Sequence, residues 1–169
     1  MGYSSVHGSE CHKKRFEPIL GNMRTITINV PGNPQAQKRH RHTKRGSYIH
    51  TYDPCSNDKN VFLFKTLAEK KPDKLILGPI KMTLIFHMPR SKSHYRTGKF
   101  SGILKDSAPN THSSKPDIDN LQKFVLDSLN GVYFKDDAQV YMIIASKWYS
   151  EEPCTLIEME YDTIKNDFK

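Results

Sequence analysis

The sequence predicts a single α+β domain with a mixed sheet of about four strands and two main helices, and three observations predict it. Four segments alternate apolar and polar residues at the two-residue period of a strand, and two others carry apolar residues at helical spacing. The six fall in the order β-α-β-α-β-β. At 169 residues the chain suffices for one domain with a real core and is too short for two ordinary ones.

Residues 1–22 lack apolar periodicity and carry the basic run Lys13-Lys14-Arg15, so they read as a flexible leader before a domain spanning 23–165. The first strand alternates Ile26, Ile28 and Val30 with Thr25, Thr27 and Asn29, and Pro31-Gly32-Asn33-Pro34 stops it. A basic loop or hairpin arm follows, from Gln37 through Lys38, Arg39, His40, Arg41, His42, Lys44 and Arg45 to Gly46, and ends in Tyr48 and Tyr52. Asn57 or Asp58 then caps a helix over Lys59–Lys71, with Val61, Phe62, Phe64, Leu67 and Ala68 as its apolar side and Pro72 as its end.

Ile80, Met82, Leu84, Phe86 and Met88 form the second strand. Residues 90–114 are polar, basic and rich in Ser, and read as a long mobile loop. Pro116 disfavours helix at Lys115, so the second helix starts near Asp117 and buries Ile118, Leu121, Val125 and Leu129. Asn130-Gly131 ends it with a residue free to adopt positive φ. Val140, Met142, Ile144 and Trp148 share one face of the third strand, and Thr155, Ile157, Met159 and Tyr161 mark the fourth.

Charge narrows the function. The formal net charge is +8, and mean hydropathy is −0.67 with 36% apolar residues. Residues 1–100 hold 19 Lys and Arg against 6 Asp and Glu, whereas residues 101–169 hold 7 against 12. One half is suited to meet phosphates and the other to hold a cation. Cys11, Cys55 and Cys154 are widely spaced and form no CxxC pair, which argues against a zinc ribbon or a thioredoxin-type site. No apolar run approaches the length of a membrane span, and the expectation is a cytoplasmic protein without membrane contact.

The acids concentrate in two places. Asp117 and Asp119 open the second helix, with Lys123 and Asp127 at successive i+4 positions on the same stripe. Asp136-Asp137 follows a short connection and stands at the mouth of the next strand. Adjacent residues near a strand face opposite ways, so one of that pair is expected to meet Asp117 and Asp119. Three carboxylates without a histidine cluster favour Mg²⁺, with Mn²⁺ able to substitute, over zinc. Lys123 is placed to stabilise charge on a scissile phosphate. The basic run, with Lys38, Arg39, Arg41, Lys44 and Arg45, suits a phosphate track, and Lys115 adds a cation beside the acids. Taken singly, each acid also has a plain structural reading, Asp117 as a helix cap and Asp119–Lys123 as a surface pair.

The run Lys115-Pro-Asp117-Ile-Asp119-Asn120-Leu-Gln-Lys123, then Asp127-Ser-Leu-Asn-Gly131, then Asp136-Asp137-Ala-Gln139-Val140, closely resembles the RusA family of Holliday junction resolvases. These are endodeoxyribonucleases of phage and prophage type. The strong similarity covers Lys115 to Val140. The resemblance implies a homodimer that binds four-way DNA junctions and makes paired symmetric nicks with Mg²⁺, in a bacterial host cell. It matches Asp117, Asp119 and Asp137 to the family's metal-binding aspartates and Lys123 to its essential lysine. Asp136, Asn120 and Asp127 take supporting places. Two other readings compete: a metal nuclease acting on other branched or flap DNA, and a catalytically silent DNA-binding protein.

Overall fold

The computed structural model describes residues 22–162, so the leader expected at 1–22 lies, but for Asn22, outside the described residues. The α+β fold is as the sequence predicts. β1 (Met23–Pro31) is followed by a hairpin, β2 (Arg41–Arg45) and β3 (Tyr48–Tyr52). Next come α1 (Ser56–Glu69), β4 (Ile80–Pro89), α2 (Ile118–Leu129), β5 (Val140–Ser150) and β6 (Cys154–Asp162). The main sheet has the order β1-β6-β4-β5. β4 and β5 run parallel, while β6 is antiparallel to both β1 and β4. α2 is the crossover between the two parallel strands, which have to point the same way because a helix returns the chain between them.

The helices cover one face of the sheet. Ile26, Ile28 and Val30 of β1, Ile80, Met82, Leu84 and Phe86 of β4, and Ile157 and Met159 of β6 point into that layer. There they pack in one core with Leu121, Phe124, Val125 and Leu129 of α2 and Phe62 of α1. The α2 positions repeat at helical spacing. Gly131, at φ +76°, ends α2 where a side-chain-bearing residue would be strained, and its amide donates to the Phe134 carbonyl at 2.7 Å.

Three expectations change. α1 starts at Ser56 with Cys55 as its N-cap and no side-chain cap, so neither Asn57 nor Asp58 caps it. Val61 and Phe64 are exposed, and the buried side of α1 is Cys55, Phe62 and Thr66, with Leu63 and Leu67 beside them. On β5 the four residues expected to share one face divide between two. An irregularity in register near Ile80 leaves Tyr141 without a partner, so Val140 faces the core while Met142, Ile144 and Trp148 turn away from the helices. Ile143, Ala145 and Tyr149 face inward instead.

Residues 90–114 carry more local structure than their composition announces. Two short 3₁₀ turns, Lys92–His94 and Gly98–Phe100, sit in the stretch. Backbone hydrogen bonds join Arg96 to Ile103 and Lys105 to His94. The end of the segment runs along the edge of β5, with the His112 amide donating to the Lys147 carbonyl and that of Tyr149 to Asn110.

Candidate active site

Asp117 occupies the N-cap position of α2, yet its carboxylate makes no capping hydrogen bond. Asp119, in the first turn, forms no ion pair with Lys123 within 4.0 Å among the described residues. The Asn120 side-chain amide donates to Asp119 Oδ1 at 3.3 Å. The plain structural roles open to these two acids are therefore not the ones they take. Both are exposed at the start of α2. Lys123 is exposed one turn further on, and Lys115 is exposed just before Pro116.

Asp136 and Asp137 divide their work. Asp136 caps a 3₁₀ turn, Asp137–Gln139, its Oδ1 accepting from the Ala138 amide at 2.9 Å, while Gln139 Oε1 accepts from the Asp136 amide at 2.9 Å. Asp137 is exposed, and among the described residues its side chain makes no hydrogen bond or ion pair. The turn is anchored to the approach to β4: Gln139 Nε2 donates to the carbonyls of Ile76 and Gly78. Tyr133 and Phe134, both fully buried, fix its near side, and the Tyr133 hydroxyl donates to the Lys70 carbonyl at 2.7 Å.

Lys147 escapes sequence reasoning. It lies on the helix-facing side of β5, and its Nζ donates to the carbonyls of Ser114 (2.8 Å) and Pro116 (2.7 Å). It thereby ties the strand's far end to the segment that presents Asp117. The only sequence signal was a charged residue in an apolar strand, which reads equally well as a solvated position. Beside it, His112 is buried, and burial, with Lys147 nearby, holds its imidazole below the usual pKa.

That tie fixes a separation. Pro116 is held at Lys147, near the end of β5, whereas Asp137 stands just before Val140, where β5 begins. The residue steps from Val140 to Lys147 along β5 cover roughly 23 Å, and the twelve residues of α2, running the opposite way, cover about 18 Å. Two oxygens on one Mg²⁺ lie within about 4 Å of each other. The meeting of Asp137 with Asp117 and Asp119 that the sequence suggested does not occur within one chain. In agreement, no group of three or more His, Cys, Asp or Glu side chains is gathered as a metal site among the described residues.

Asp127 is also engaged elsewhere. Lys59 of α1 bridges Asp127 Oδ2 at 2.9 Å and Asp53 Oδ2 at 2.7 Å, all three side chains being largely covered. Asp53 Oδ1 accepts from Gln37 Nε2 (3.0 Å) and the Cys55 amide (2.9 Å). The Gln37 amide in turn donates to the Asn120 carbonyl at 2.9 Å. These bonds join the root of the basic hairpin to both helices, one residue from Asp119.

Burial opposes the charge on Asp53. The Lys59 ammonium, the Cys55 backbone amide and the Gln37 side-chain amide outweigh it and lower the pKa to about 2. A carboxylate with a depressed folded-state pKa stabilises the fold above its unfolded value near 4, and that contribution disappears as pH falls through 2. Asp53→Asn is expected to lose about 1–2 kcal/mol at pH 6. Urea unfolding of both proteins from pH 6 to 2 checks this: the gap should close below pH 4, and a gap independent of pH would refute the linkage.

The basic arm itself projects. Every described side chain of β2 and β3 is exposed. Lys38 lies 3.7 Å from Asp58 at the root, and Arg39, Arg41 and Lys44 are exposed along the arm. Arg45 closes β2 opposite Tyr48 in the register.

A domain that holds unpaired acids at a helix start and a strand entrance, beside a projecting cationic arm, is built to bring acid groups to a polyanion. The model for the family described as "Endodeoxyribonuclease RusA" matches residues 31–160, and the chain belongs to that family, which makes it an endonuclease of DNA. It is also similar to "Uncharacterized protein YqaN" of Bacillus subtilis (strain 168), with 36% identity over 137 residues, covering 78% of this chain and 92% of that protein. Among the described residues no helix is long and apolar enough to cross a membrane.

Proposed function

We propose that the protein is a Mg²⁺-dependent endonuclease that resolves four-way DNA junctions by paired symmetric nicks, and that it works as a homodimer whose sites each draw acids from both copies. The observation that carries this reading is the placement of free carboxylates at opposite ends of one strand. A two-fold axis that sets two β5 strands side by side in opposite directions exchanges those ends, so the partner copy's Asp137 comes to this copy's Asp117 and Asp119. The outer side of β5 supplies a surface for such a contact: Tyr141, Met142, Ile144 and Trp148 are all exposed, at 42–58%. Apolar side chains in one row on a soluble domain are a mark of an interface.

The donor set fits the ion. Asp117, Asp119 and Asp137 offer oxygens that form no ion pair among the described residues, which suits hard Mg²⁺, or Mn²⁺ in its place. When bound, the ion would supply a Lewis acid that activates water and neutralises phosphate charge. The chain's own groups do the rest. Asn120 orients Asp119, Lys147 holds the segment before α2 that presents Asp117, and Lys123 stands one turn away to stabilise negative charge on the phosphate and leaving oxygen. Lys38, Arg39, Arg41, Lys44, Arg45 and Lys115 contact the DNA backbone. Two such sites related by a two-fold match the symmetry of a four-way junction and give nicks in pairs.

Cleavage of a mobile four-way junction and of a linear duplex of the same sequence, in Mg²⁺ or EDTA, tests the function. Paired nicks in the junction alone, and in Mg²⁺ alone, are expected. Equal cutting of the duplex would remove the junction assignment, a preference for flaps would move it to other branched DNA, and cutting in EDTA would remove the metal.

A further inference from the structure

The two faces of the β2–β3 arm differ. Alternation puts Tyr48, His50 and Tyr52 on one face, with Arg41 opposite Tyr52 and Thr43 opposite His50. The other face carries His42, Lys44, Ile49 and Thr51, where His42 Nδ1 and Thr51 Oγ1 share a hydrogen bond of 2.7 Å. The His50 and Tyr52 rings lie 16° from parallel with centroids 6.3 Å apart, and Tyr48, beside the two-residue turn at Gly46-Ser47, is 82% exposed.

A backbone-tracking arm needs the cations but gains nothing from a row of bare rings. A two-stranded hairpin alone in water is also only marginally stable, so uncovered rings on it call for a partner. We propose that this aromatic face is a stacking platform for unpaired bases at the branch of the DNA. Flat rings beside cations suit that occupant, since every base has a π-face and its phosphate a charge. The rings recur at about 6.6 Å along the strand, close to two base steps of roughly 3.4 Å. The root of the arm is joined to α2 by the hydrogen bond from the Gln37 backbone amide to the Asn120 carbonyl, next in sequence to Asp119.

The branched substrate rests on the function proposed above, but stacking can be measured without cleavage. The full chain in EDTA is titrated against oligo-dT, a linear duplex, and a four-way junction with 2-aminopurine at an unpaired branch position. Wild-type protein is expected to quench the 2-aminopurine. Tyr48→Ala/Tyr52→Ala should bind oligo-dT about tenfold or more weakly and fail to quench, with duplex affinity little changed. Tyr48→Phe/Tyr52→Phe should behave as wild type. Arg41→Ala/Lys44→Ala should weaken all three ligands and flatten their salt dependence. If the double alanine variant melts early, Tyr48→Ala alone, at the exposed tip, gives the reading. Wild-type quenching by the alanine variants, or an equal loss on duplex, overturns the proposal. Junction cutting by the same preparation in Mg²⁺ reports separately: stacking without cutting defeats the nuclease reading alone, and cutting without stacking defeats this one alone.

Discussion

Asp119→Asn is expected to lower junction nicking by at least about 10²-fold while leaving the fold and the affinity for DNA in EDTA nearly intact. Losing a partner that merely orients a ligand costs 10–100-fold in affinity or activity, so losing a ligand should cost more. The side chain is exposed, and its recorded contact is one 3.3 Å hydrogen bond from Asn120, so the fold has little to lose. Asp136→Ala makes the opposite case. It removes the cap of the turn at Asp137–Gln139 and should cost about 1 kcal/mol of stability, with a far smaller effect on nicking. Burst and steady-state nicking of a labelled junction, with urea melts of both variants, separates the two. Wild-type nicking by Asp119→Asn would remove Asp119 from the metal site.

Much of the fold was legible because local chemistry and tertiary context agreed. α2 is bounded by Pro116 and Gly131 and filled with apolar residues at helical spacing, and it folds where those signals put it. β4 alternates cleanly and lies in the middle of the sheet. β5 is less legible, because both of its faces carry apolar residues and Val140 parts from the other three residues expected on its face. Met142, Ile144 and Trp148 compete with Ile143, Ala145 and Tyr149, and one unpaired residue at Tyr141 decides which set faces the helices. The exposed side chains on α1 arise similarly, since Val61 and Phe64 are apolar without being covered.

The site divides along the same line. Which acids are free of partners depends on hydrogen bonds that sequence does not display, yet their clustering in a basic chain was visible. Their separation was not. Whether Asp137 meets Asp117 depends on the relative direction of α2 and β5, a property of the crossover and not of either segment. The shared face of Tyr48, His50 and Tyr52 became visible only once the hairpin register was fixed.

The central claim is that each site takes Asp117 and Asp119 from one copy and Asp137 from the other, and mixing two inactive proteins tests it most directly. Asp119→Asn and Asp137→Asn should each be inactive alone. Refolded or expressed together, they form mixed dimers in which one site carries both substitutions and the other carries neither. With random pairing half of the dimers are mixed, so nicking should return to about a quarter of the wild-type level, as single and not paired cuts. If each copy held a complete site of its own, every site in the mixture would carry one substitution. Nicking would then stay at the level of the separate variants, and that result would contradict the account.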